Sequence, residues 1–337
     1  MRRWLLLFAL LAAVLINNLL LTRCQRRIHA LEAEIGPGRG HVPRAPERHF
    51  PAIDVYSQML PQGDRAFLAV TRFTRQQFDE MVTELAPLVQ ANRHVRPHVP
   101  EPGGEIRATK LSLHNRLLLA LKFLTCGGTC EDLGQQFALS PAAVSEEIRH
   151  VVFALVAGLS YEIAWPPPVQ QQQLQQLLGP RFPHAIGTLD GTFTQSFRRL
   201  GDYSGHRHLN IRHHQIACDA LGFVIHVVAG QVGSRHDAYQ FARTDLGARL
   251  AADDVDLLVD SGYRGFPHLL PPATITTIPD RTARIAYNID HTSRRSRFIG
   301  RIKALFTVAS RKWQRAESFV CIVAACILYN RRKRQAG

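Results

Sequence analysis

The sequence has no internal repeat, no collagen-type period and no sustained heptad, which excludes solenoids, fibres and long coiled coils. Cysteine is scarce, with six in 337 residues. That is too few for a disulfide scaffold and fits a reducing compartment. GxGxxG, P-loop and GxSxG elements are absent, so a dinucleotide fold, a nucleotide-phosphate cradle and a nucleophile elbow lack their marks. Cys126 and Cys130 form a lone CxxxC without a second half and read as core residues. His206, His208, His213, His214, His226 and His236 have no cysteine pair at zinc-ligand spacing. Acids are missing where bases crowd: residues 281–337 hold 14 Lys and Arg but only Asp290 and Glu317.

What is present bounds the class. With 46% hydrophobic and 20% charged residues the chain can bury cores, and its length suggests two domains of ordinary size. The formal charge is +14, nearly all of it in the last sixth of the chain. A field so concentrated suits a polyanion such as nucleic acid or an anionic membrane surface, and fits a merely solvated basic face poorly.

Along the chain, Trp4–Leu21 is apolar apart from Asn17 and Asn18, with arginines on both sides. At ~1.5 Å per residue it would reach about 27 Å, close to a bilayer core. A signal anchor, a signal peptide and a helix buried on the protein all remain open for this segment, taken as 1–35. Residues 36–51, rich in Pro and Gly, read as a linker taken to 63. Over 64–165 the pattern is helical. Phe67, Phe73, Phe78, Val82 and Leu85 make one stripe, and Leu113, Leu117, Leu118, Leu121 and Leu124 another. A short helix near Glu131–Phe137, a turn at Ala138–Ser140 and a Ser-Pro helix start make a helix-turn-helix candidate, though its second helix, with Glu146 and Glu147 against Arg149, is not strongly basic. After Trp165-Pro166-Pro167-Pro168 and a Gln-rich helix at Val169–Leu178, the texture turns to strands: His184–Leu189, Gln215–Cys218, Phe223–Ala229 and Leu257–Val259. Helical patterns return at Phe298–Phe306 and Phe319–Leu328, giving an α/β domain over 180–330 and a basic tail at 331–337.

Asp190 and Asp260 carry the most chemistry. Each ends an apolar strand pattern, in LDGT and VDSGYRG, and the carboxyl ends of strands form the crevice of an open sheet. Two carboxylates meeting there repel unless a divalent cation, Mg²⁺ or Mn²⁺, lies between them. Such ions support phosphodiester cleavage. Ordinary turn chemistry after a strand is the competing reading. Glu317 and Asp290 read as cap or loop acids, and Arg331-Arg332-Lys333-Arg334 as a nuclear-import or phosphate-contact patch, or a solvated tail.

These pieces occur in a familiar order. LLLALKFLTCGGTCEDLGQQFALSPAAVSEEI, IAWPPP, AIGTLDGT, QIACDALGFV, SRHDAYQF, LLVDSGYRG, RFIGRIKALF and AACILYN run in series over about 110–330. In this the chain resembles the PIF/Harbinger-type DDE transposases and the nucleases domesticated from them. The resemblance implies an RNase H-like mixed sheet flanked by helices, preceded by an all-helical region with a helix-turn-helix. It also implies a divalent-metal nuclease acting on DNA, a nuclear setting and a separate Myb-like DNA-binding partner. Asp190 matches the first catalytic Asp and Asp260 the second. The third acid is missing: Ser296, four before Gly300, stands where the family has Glu, and Phe193 replaces the histidine of DGTH. Neither Glu317 nor Asp290 is an easy substitute. Arg294, Arg295, Arg297, Arg301, Lys303, Arg311, Lys312 and Arg315 are the expected DNA-backbone contacts. Three readings follow: an impaired or intact nuclease, an inactive DNA-binding or partner-recruiting protein on the same fold, and a protein tethered to membrane through Trp4–Leu21.

Overall fold

Side-chain caps set most of the early helix boundaries in the computed structural model. It describes residues 53–91, 111–196, 202–205, 207–295, 297–307, 312–313 and 318–336. Asp54 caps α1 (Val55–Met59) through the Ser57 N–H and hydroxyl. A 3₁₀ turn at Leu60–Gln62 leads to α2 (Gly63–Thr71) and α3 (Arg75–Ala91). Residues 55–63, expected as linker, are therefore largely helical. The rest of that linker and the 1–35 segment lie outside the described residues. Ser112 caps α4 (Leu113–Cys126). Thr129 and Asp132 form a reciprocal capping box on α5 (Cys130–Phe137), and Ser140 with Pro141 opens α6 (Pro141–Leu159).

The helix-turn-helix shape is present, with Ala138 left-handed at φ 50° in the turn. Yet α6 is a core helix. Val144, Ile148, Val151, Val152, Leu155 and Leu159 are buried, and Glu147 pairs with the buried Arg116 at 2.6 Å. Both aromatic and leucine stripes read from the sequence point inward. Cys126 does not: it is exposed, and Cys130 is half-buried, so the CxxxC is not core.

Beyond a 3₁₀ turn at Ser160–Glu162, Gly179 ends α7 (Pro168–Leu178). The strands are β1 (Ala185–Ser196), β2 (Tyr203–Ser204), β3 (Leu209–Asp219), β4 (Val224–Val232), β5 (Asp256–Leu258), β6 (Leu269–Leu270) and β7 (Lys312–Trp313). Between and after them come α8 (Asp237–Phe241), α9 (Leu246–Asp253), α10 (Arg281–Arg295), α11 (Arg297–Leu305) and α12 (Ser318–Ala336). The sheet runs β4-β3-β1-β5-β6. Its first three strands are antiparallel, and β5 and β6 are parallel to β1. Short β2 pairs with the start of β3, and β7 with the end of β1. This is the RNase H-like mixed α/β arrangement, with a helical region before it.

One face of the sheet packs Ile186, Leu189, Ala217 and Leu257 against Phe241, Leu246 and Leu250 of α8 and α9. On the other, Ile216, Cys218 and Val224 join Ile302, Phe306 and the apolar side of α12 in the same core as α2–α6. Residues Ile53–Gly337 form one compact unit. The basic residues at 331–336 differ from a solvated tail: they continue α12, with Arg331 2.7 Å from Glu84 and Arg334 paired with Glu162. Among the described residues no helix is long and apolar enough to cross a membrane, and Trp4–Leu21 lies outside them.

Candidate active site

Strand register brings the two aspartates together. Thr188 pairs with Leu258 across parallel β1 and β5, and Asp190 and Asp260 each lie two residues further on. Neighbouring strands are ~4.8 Å apart and side chains alternate, so Asp190 continues the face on which Thr188 lies, while Asp260, past the end of β5, turns its Oδ1 to Gly262, next to His236 at the start of α8. Two contacts identify that face. Asp190 pairs with Ile216 on antiparallel β3, whose side chain is in the core with α11 and α12, and Leu258 packs near Tyr287 of α10. Asp190 therefore looks toward α10–α12, and Asp260 stands at the corresponding position of the neighbouring strand.

Asp190 does not terminate its strand, contrary to the turn-like appearance of LDGT. β1 continues six residues past it to Ser196, because Gly191, Thr192 and Phe193 keep pairing with β3. Asp260 does follow the end of β5, where its Oδ1 accepts the Gly262 N–H at 2.9 Å and caps a 3₁₀ turn. Asp190 Oδ1 accepts the Gly191 N–H at 2.9 Å. Both carboxylates are thus oriented by backbone donors. Asp219, also an acid at a strand end, is ordinary turn chemistry: it accepts the Phe223 N–H at 2.8 Å and is pushed up in pKa by burial.

A third carboxylate stands close by, and the sequence reading passed over it. Asp237, in the quoted SRHDAYQF, begins α8 with its carboxylate packed under Gly191: a Cβ there would lie 2.7 Å from Asp237 Oδ2. Gly191 and its partner Gln215 point to the face opposite Asp190, toward α8. Gln215 Nε2 donates to the Asp237 carbonyl at 2.7 Å and to the Tyr263 hydroxyl at 3.0 Å. His213 Nδ1 is 3.3 Å from Asp237 Oδ1, and its pKa is lowered by burial against the raising effect of that carboxylate. Burial first, then Asp237, Asp260 and Asp190, hold the Tyr263 phenol well above its usual range. Only the histidine-aspartate pair in the motif hinted at this role.

The other expected residues are scattered. Lys303, half-buried on α11, lies 5.5 Å from the Phe193 ring, and its pKa is lowered by desolvation and then by Arg207, against the pull of Asp190. Arg301 is exposed on α11. Asp290 is inside α10, 3.4 Å from Arg181, and is not a loop or cap residue. Ser296, Glu317, Arg311 and Arg315 lie outside the described residues, as do the side chains of Arg294, Arg295, Arg297 and Lys312. His214 is buried and neutral, its pKa pushed down to about 3 by desolvation. Its Nδ1 accepts the Gly230 N–H at 3.1 Å, so Nε2 carries the proton toward Thr194 Oγ1 at 2.9 Å. Among the described residues no three His, Cys, Asp or Glu side chains are placed to hold a metal ion together.

The donor set nonetheless fits one hard cation. Mg²⁺ is commonly held by one or two carboxylates with waters and a substrate phosphate completing the shell, and Asp190 and Asp260 on neighbouring strands offer carboxylates of that kind. Comparison with known proteins agrees on class. Residues 192–330, under half of the chain, match the family described as DDE superfamily endonuclease. The matched span contains Asp260 and Asp237 and begins two residues after Asp190. No curated protein and no solved structure matches the chain.

Proposed function

We propose that the protein is a Harbinger-type, transposase-derived nuclease that cuts DNA phosphodiesters with Mg²⁺ or Mn²⁺ held by Asp190 and Asp260. The observation that supports this reading is the β1–β5 register, which puts Asp190 and Asp260 at corresponding positions two residues beyond the Thr188–Leu258 pair. A divalent ion held there would supply Lewis acidity to the phosphoryl oxygens. The chain's own part is to fix both carboxylates through the Gly191 and Gly262 N–H groups and to keep a cation, Lys303, beside Asp190. With Arg301 and the basic residues around α11, that cation favours the polyanionic strand. By the same resemblance the protein works in the nucleus with a Myb-like partner, which co-purification from nuclear extract would check.

The test is Mn²⁺ titration together with nicking of supercoiled DNA. Asp190→Asn and Asp260→Asn should each weaken Mn²⁺ binding at least tenfold and reduce nicking about a hundredfold or more. Unchanged Mn²⁺ affinity in both variants would defeat the reading. A second reading, DNA binding without cleavage, is favoured by Ser296 at the third-acid position and by Asp237 lying on the far face. It expects salt-dependent DNA binding, no nicking by the native chain, and nicking gained by Ser296→Glu.

A further inference from the structure

Phe193 stands three residues beyond Asp190 on β1, and its ring is shared by two cations. The Arg207 guanidinium lies 4.1 Å from the ring centroid and the Lys303 ammonium 5.5 Å. Both distances are within cation–π range. We propose that Phe193, Arg207 and Lys303 form an anion site that holds a DNA phosphodiester close to the one presented to Asp190 and Asp260. The inference rests on the nuclease-site reading and adds the residues that seat the strand.

Three observations support it. First, several cations that serve the fold have an acid beside them: Arg116 has Glu147, Arg212 has Asp202 and Arg331 has Glu84. Among the described residues Arg207 and Lys303 make no ion pair. Second, two like charges on one ring repel, and desolvation of Lys303 adds to that cost. An anion between them relieves both. Third, the position suits a strand. Phe193 alternates onto the Gly191 side of β1, but Lys303 of α11 both feels Asp190 and borders the Phe193 ring, so the site adjoins Asp190. Stacking on Phe193 fixes the guanidinium plane and leaves its N–H edge available for bidentate phosphate contact. Arg207 is exposed and Phe193 only half-buried, so a strand can reach them.

Fluorescence anisotropy with a labelled DNA duplex, run with the full chain in EDTA over a range of salt, tests this apart from cleavage. Arg207→Gln and Lys303→Gln should each lower affinity about tenfold and reduce the salt slope by about one phosphate. Phe193→Leu, which keeps an apolar filler, should lose affinity by a smaller factor of about three. Arg65→Gln, an exposed control on α2, should change neither affinity nor slope. Circular dichroism confirms that each variant is folded. If Arg207→Gln and Lys303→Gln bind with the native affinity and slope while Asp190→Asn still loses Mn²⁺, the anion site is wrong and the nuclease reading stands. A native chain that binds no DNA overturns both. Inorganic phosphate that binds the native chain as tightly as the duplex, and equally in Arg207→Gln, would also overturn the assignment.

Discussion

His214 shows how burial fixes a residue's chemistry. Its ring is fully buried between Thr194 and the Gly230 N–H, and its pKa falls to about 3 because charging it would cost desolvation energy. In the unfolded chain the same imidazole takes a proton near pH 6.5. As pH falls below that value the unfolded state binds a proton that the folded state refuses, so stability declines with falling pH. From pH 7 to pH 5 the loss should be about 2 kcal/mol. His213 and His226, also lowered by burial, act in the same direction. Urea unfolding of the native chain and of His214→Gln at both pH values checks this, since the variant should show a pH loss smaller by that amount. At this scale the sequence was partly legible. Asp190 and Asp260 followed apolar runs and so advertised themselves. Asp237 and Phe193 did not, because their significance comes from what lies across the sheet: Gly191 above one carboxylate, and Arg207 and Lys303 around one ring.

Among the elements, caps made the helix starts easy to read and exposure made one helix easy to miss. Ser140-Pro141 and the Gln-rich run stand almost where expected, as α6 and α7. α10 was passed over because its apolar residues do not mark a core face: Ile285 is 49% and Ile289 65% exposed. β1 was cut short because Asp-Gly resembles a turn, whereas pairing with β3 carries it to Ser196. The α5–α6 corner gives an element-scale prediction. Ala138 sits at φ 50° and ψ 47°, a left-handed cap conformation that glycine adopts without penalty. Ala138→Gly should stabilise the protein by about 1 kcal/mol. Gly134→Ala should do the reverse by about 2 kcal/mol, because its Cβ would lie 2.6 Å from the Leu139 backbone carbonyl oxygen. Denaturant midpoints of the two variants, shifted in opposite directions with unchanged slope, are the check.

For the whole molecule, composition suggested two domains, but the last helix makes the described core continuous. α12 presents Val320, Ile322, Ala325 and Leu328 to a core that also contains Leu118, Leu155 and Val224, residues from α4, α6 and β4. A chain pattern cannot reveal this, because it depends on residue 330 returning to residues 162 and 224. Asn330 makes that return. Its amide donates to the carbonyls of Glu162 and Val224, both at 2.7 Å, while its oxygen accepts the Val224 N–H at 2.8 Å. The side chain is wholly buried, so Asn330→Ala strands the Val224 N–H and carbonyl, while the Glu162 carbonyl keeps the Arg334 guanidinium at 3.0 Å. A loss of roughly 3–5 kcal/mol follows. If the helical region and the sheet were separate domains, the loss would fall on the sheet alone. Because they share a core, hydrogen exchange in α4 and in β3 should respond to urea with one midpoint, and Asn330→Ala should move both by the same amount. An α4 that keeps its native midpoint in Asn330→Ala would show that the helical region stands by itself.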